Sequence, residues 1–245
     1  MNKEKRRKKI ATIVLILSSI AVAISLFFII KTVWEYWSAS KANTEAVESI
    51  TTDDNTFKYD HEAALKINPD AKGLYVNYAT NSKLPIVQKL NDNYYYLHRD
   101  FYQNYSRAGS LFIDGNITEG LDAPHVIIYG HHMGDGSMFS DNDKYKDEEF
   151  YKKDNSFYIY TPDSLREYKI FAVYNTSPRG EAYKIGQTQT TIKDFAAKWK
   201  ANSIYDTGVD VSNAMQVVTL SSCEARDYSK RLVVQGVLTK ETPTN

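Results

Sequence analysis

Hydrophobic positions fall along this chain in three successive textures. The first is an uncharged run of 21 residues, 10–30, flanked by Lys9 and Lys31. As a helix rising about 1.5 Å per residue, it just spans a hydrocarbon layer roughly 30 Å thick. Ala21-Val22-Ala23 resembles a small-residue cleavage site, yet the apolar run continues to Ile30, longer than the core of a signal peptide. A transmembrane signal-anchor is therefore the expected element. The second texture, residues 31–50, is helix-compatible, with Trp34, Trp37, Ala42, Ala46 and Val47 loosely periodic, and it grades into the polar stretch 51–56. It predicts a stalk and an N-terminal helix, with a further short helix at 61–65.

The third texture is a series of short runs rich in Val, Ile, Tyr and Phe, at 74–78, 85–87, 94–97, 111–113, 126–129, 157–160, 170–174, 215–220 and 232–238. Punctuated by Asp114-Gly115, Gly130, Gly134 and Pro162, they predict strands of a sheet or closed barrel. One helix interrupts the late strands. Ile192, Phe195, Ala196 and Trp199 lie at helical spacing, and Thr191 with Asp194 forms a plausible capping pair.

Charge adds orientation. Six basic residues against Glu4 crowd the first nine positions, leaving 24 basic and 29 acidic residues in the remainder. The basic cluster keeps the N-terminus cytoplasmic, and Trp34, Tyr36 and Trp37 suit the outer interface. The predicted organisation is a basic tail at 1–9, a membrane helix at 10–30, a stalk and helix at 31–56 and an extracellular domain at 57–245. Nothing in the balance suggests a nucleic-acid surface. No phosphate-binding glycine loop or clustered metal-ligand spacing occurs either, so no cofactor and no metal are expected.

An exported domain usually pairs its cysteines or lacks them. This one has a single cysteine, Cys223, for which a buried inert thiol and the link of a disulfide dimer are the bland readings. It ends an apolar run, and Arg231 opens the next. If 224–230 form a hairpin loop, the two become cross-strand neighbours. A fixed cation favours the thiolate and can stabilise an oxyanion, although an arginine there could also simply cap a hairpin. A cysteine nucleophile further needs a proton carrier. Of the five histidines, the best placed follow Gly130, where alternation sends His131 and His132 to opposite faces. His61, His98 and His125 read as surface or packing residues.

Thr219-Leu-Ser-Ser-Cys223 resembles the TLxTC signature of sortases, with Ser222 in place of the usual threonine. The run from Ile128 to Phe139 resembles the histidine segment of class B members, and a looser match extends over 60–239. The resemblance implies an eight-stranded β-barrel with N-terminal helices and a helix in the connection before the cysteine strand. It implies a cysteine transpeptidase in which Cys223, His131 and Arg231 are catalytic; Arg226, inside the loop, is the competing arginine. Substrate-binding positions carry over to Ser221, Glu224, Asn93, Leu97 and, less directly, Tyr183. The implied partners are surface proteins bearing a C-terminal sorting signal of NPxTN type or a close variant, and an amine of a lipid-linked peptidoglycan precursor. The implied location is the outer face of a Gram-positive membrane.

Other extracellular Cys/His enzymes fit less well. Papain-like chains place the cysteine before the histidine and L,D-transpeptidases keep the two close, whereas His131 lies 92 residues before Cys223 and Arg231 eight after it. A non-catalytic anchored adhesin is the remaining alternative.

Overall fold

The computed structural model describes residues 3–52, 57–223 and 229–244. Helix α1, Lys3–Ser49, carries the apolar run. It is the one described helix long and apolar enough to cross a membrane, and the side chains of that run are exposed. Two compact units divide the chain after Ser38. In the second, Ala46 and Ile50 are fully buried with Ala64, Leu74 and Phe112, so the closing turns of α1 help build the core. Strands β1 (Thr51–Thr52) and β2 (Lys58–Tyr59) pair briefly before α2 (His61–Ile67), whose first turn is capped by the Asp60 carboxylate at the Ala63 amide.

The remaining strands are β3 (Ala71–Asn77), β4 (Ser82–Val87), β5 (Leu111–Ile113), β6 (His125–Tyr129), β7 (Ser156–Tyr160), β8 (Ser164–Thr176), β9 (Val217–Cys223) and β10 (Arg231–Pro243). They close an eight-stranded barrel in the order β10-β8-β7-β3-β4-β5-β6-β9. Closure leaves the barrel no open edge, and its strands bury aliphatic and aromatic side chains such as Leu74, Ile86, Leu111, Ile127 and Phe171. Two pairings are parallel, β4 with β5 and β6 with β9. The second places the C-terminal ends of β6 and β9 side by side.

Helix α3 (Glu148–Lys153) and the 3-10 segment Phe139–Lys146 complete the connection to β7, and α4 (Ile192–Ala201) lies in the connection before β9. The apolar face expected for α4 is buried as Ile192, Phe195, Ala196 and Trp199 against β8, with Trp199 stacked on Tyr174. Two expectations are corrected. Residues 94–97 are not a strand: Tyr95–His98 is a 3-10 turn, started by the Asp92 carboxylate, which accepts from the Tyr94 and Tyr95 amides. An Asx turn of this kind offers the backbone an alternative to a ladder, whatever the aromatic content. Thr191 precedes α4 but does not cap it through its side chain, because its hydroxyl is already engaged with Gln187 and the Thr188 amide.

Candidate active site

Parallel pairing puts Tyr129 of β6 opposite Ser221 of β9, and the Gly130 amide extends the ladder by donating to the Ser221 carbonyl at 3.0 Å. At Gly130 a Cβ would lie 2.5 Å from Leu111 and 2.6 Å from Phe139, so only glycine lets the chain turn there. His131 thereby emerges at the barrel end where β9 finishes at Cys223. On the other side of β9, Arg231 is the direct antiparallel partner of Cys223. The hairpin expectation therefore holds for the backbone of both residues. Glu224 and the competing Arg226 lie outside the described residues.

These ends surround a cavity of about 280 Å³ whose walls include Asn93, Leu97, His131, Tyr183, Ser221 and Arg231. Five expected site residues thus meet in one place together with the candidate histidine. A larger hollow of about 440 Å³ lies between the end of α1 and the β3–β4 hairpin, but its walls carry no histidine or cysteine. Chemistry, not volume, selects the site.

The ring of His131 is oriented by main chain. Its Nε2 lies 2.7 Å from the Leu97 carbonyl oxygen, which can only accept, so Nε2 carries a hydrogen and the second proton is gained or lost at Nδ1. Burial pushes the imidazole below its ordinary pKa, the Leu97 carbonyl partly restores it, and His98 and Arg107 push downward again. His132 goes elsewhere, with its Nε2 2.9 Å from the Asp143 carboxylate, as alternation after Gly130 predicts. Asn93 is held by its Oδ1, which accepts from the Gly115 amide at 2.6 Å. The hydroxyls of Tyr183 and Ser221 are hydrogen-bonded at 2.8 Å, and Tyr183 stacks on Tyr129, whose own hydroxyl donates to Asp114. Tyr183 and Pro178 thus form a wall contributed by the β8–α4 connection.

Sequence reasoning missed three contributors. Tyr129, Tyr94 and Ser222 line the cavity, and Ser222 Oγ is buried with no hydrogen-bond partner among the described residues. Ser222 stands out in the sequence only as the residue in place of the signature's usual threonine. Tyr94 carried the opposite signal, since its aromatic run read as a strand. Among the described residues no group of three or more His, Cys, Asp or Glu side chains could hold a metal ion.

The closed eight-stranded barrel matches those of the sortases, a class of cysteine transpeptidases. The sortase domain profile matches residues 74–239. Sortase B of Listeria monocytogenes is 40% identical over 177 residues, 71% of each chain. The structure of sortase B from B. anthracis in complex with AAEK1 superposes with a TM-score of 0.73 at 30% identity, covering 84% of this chain and 99% of that one. A Staphylococcus aureus sortase B–substrate complex aligns at 29% identity and a TM-score of 0.65, over 73% of this chain and 84% of that one. The chain belongs to the sortase family, class B, whose members are cell-wall cysteine transpeptidases.

Proposed function

We propose that this sortase cleaves a C-terminal sorting signal of NPxTN type, or a close variant, after threonine and passes the new carboxyl end to an amine of a lipid-linked peptidoglycan precursor. The observation that carries the reading is the register of β9: parallel to β6 and paired to β10 at Cys223–Arg231, it brings cysteine, arginine and histidine to one barrel end.

In this reading the Cys223 thiolate attacks the threonine carbonyl. The tetrahedral oxyanion is stabilised by the Arg231 guanidinium and backbone N–H groups. The C–N bond breaks as His131 gives its Nδ1 proton to the leaving amine, and a thioester remains. The incoming amine then attacks the thioester carbonyl, surrenders a proton to His131, and the C–S bond breaks to regenerate the thiolate. The lowered proton affinity of His131 leaves a minority of molecules with a protonated ring at neutral pH, and those that have it hold a strong acid. Ser221, Asn93, Leu97 and Tyr183 shape the substrate groove, and Glu224 would extend it. The 10–30 helix anchors the domain, 57–245, outside a Gram-positive membrane with the 1–9 tail in the cytoplasm and 31–56 as stalk and helix.

The test is a panel of fluorogenic pentapeptides incubated with the full chain in detergent micelles, with and without a primary amine. Cleavage after threonine for NPxTN-like members, with amide formation when the amine is present, is the expected result. Equal cleavage by Cys223→Ala, or none for any peptide, would refute the reading.

A further inference from the structure

The face of the His131 ring is covered by a second histidine. The rings of His98 and His131 stack with centroids 5.7 Å apart and planes inclined by 22°. Tyr105 continues the series, its ring 6.3 Å from that of His98 and inclined by 33°. His98 directly follows Leu97, whose carbonyl takes the Nε2 hydrogen of His131. One dipeptide therefore holds the ring twice, by an oxygen at its edge and an imidazole over its face.

The segment that carries this dipeptide is itself tied down. Asp92 starts the turn, the Ser106 amide donates to the His98 carbonyl at 3.0 Å, and the Ser110 amide donates to the Tyr96 carbonyl at 3.1 Å. Yet the His98 side chain is exposed, so packing of the core does not account for its place.

We propose that His98 is a positioning residue of the transfer reaction, clamping His131 against the Leu97 carbonyl and setting how readily that ring accepts its second proton. The inference rests on the function proposed above. When both rings are protonated, two like charges sit at stacking distance, so His131 holds its proton less firmly and becomes a better donor to a leaving amine. The direction agrees with the electrostatics: after burial, His98 is the larger of the two charged groups that depress His131, ahead of Arg107. The other titratable groups are Tyr105 beyond His98 and, along the same cavity, Tyr94 before the turn, Tyr129 on β6, Tyr183 in the β8–α4 connection and Arg231 on β10.

The experiment is a histidine-resolved NMR titration of the full chain in micelles, with the His131 signal identified by its loss in His131→Asn. His98→Phe keeps a stacked ring and removes the charge; His98→Gln removes both and serves if the first variant misfolds. The His131 midpoint should move to higher pH in each variant, and the pH profile of kcat/KM should move the same way. Loss of clamp and charge together in His98→Gln should lower kcat about tenfold with KM little changed, and His98→Phe, which loses the charge alone, should lower it less. An unmoved His131 midpoint in the charge-free variants would overturn the proposal. Because the titration needs no turnover, a moved midpoint in an enzyme that transfers nothing would sink the proposed function and leave the histidine pairing standing.

Discussion

Strand β6 carries a histidine at its start and, two residues past its end, another. The contrast between them separates an imidazole closed off by its hydrogen bonds from one that opens on the cavity. His125 is 2% exposed and satisfied at both nitrogens: Nδ1 donates to the Lys184 carbonyl, so Nε2 accepts from the Thr219 hydroxyl, which in turn accepts from Gln235. Burial pushes its pKa down to about 4, and the ring stays neutral. His131 is bonded at Nε2 alone among the described residues and opens on the cavity. Both residues gain rigidity from a carbonyl acceptor, but only the second keeps a nitrogen for exchange. Thr219 belongs to the cysteine strand, and its tie to His125 helps fix the parallel register that aligns the distant ends of β6 and β9.

The sharpest way to break this comparison is to exchange fates. His131→Asn should lower kcat/KM for peptide transfer roughly 10²–10⁴-fold with the unfolding temperature nearly unchanged. Equal activity in the variant would remove His131 from the chemistry. Arg231→Ala should cost roughly 10²–10³-fold, mostly in kcat, checked by steady-state kinetics on the same peptides.

His125 should respond in stability instead. His125→Leu takes from the Thr219 hydroxyl the group it donates to, leaving it only the Gln235 amide that donates to it, and takes one donor from the Lys184 carbonyl, a loss of about 1–3 kcal/mol in denaturant unfolding at neutral pH. Its folded pKa lies below the unfolded value of 6.5. The unfolded chain therefore binds the proton first, and stability present above pH 6.5 is lost as pH falls toward 4. The loss amounts to roughly 3 kcal/mol across that window, and it should be missing from His125→Leu. A smaller effect is expected at the cavity wall. Tyr183→Phe removes one hydroxyl pairing with Ser221, worth about 1 kcal/mol, and should raise KM severalfold with kcat nearly intact.

Much of the barrel was legible in the chain because β-branched and aromatic runs, spaced by glycine and proline, coincide with β3 to β10. The spacing of Cys223 and Arg231, eight residues apart at the end of one apolar run and the start of the next, made a hairpin one reading, and the antiparallel pairing of the two residues bears it out. The aromatic run 94–97 misled for a physical reason: a single carboxylate, Asp92, outcompetes the residues' strand preference. The short helix α3 and the 3-10 segment before it carry too few turns to show periodicity. His98 looked like a surface residue by every local criterion, and its relation to His131 arises only when the 95–98 turn is folded over the end of β6. Likewise the acceptor at Leu97 is main chain, and no side-chain pattern can announce it.

The central claim is that the Cys223 sulfur becomes acylated by the threonine end of a sorting signal. Intact-protein mass spectrometry of the full chain, quenched in acid during turnover of an NPxTN-like peptide without amine, addresses it directly. A mass increase equal to the peptide's N-terminal fragment, mapped to Cys223, discharged by hydroxylamine and missing in Cys223→Ala, is the predicted result. Peptide cleavage that proceeds with no adduct on Cys223, or with the adduct on another residue, would contradict it.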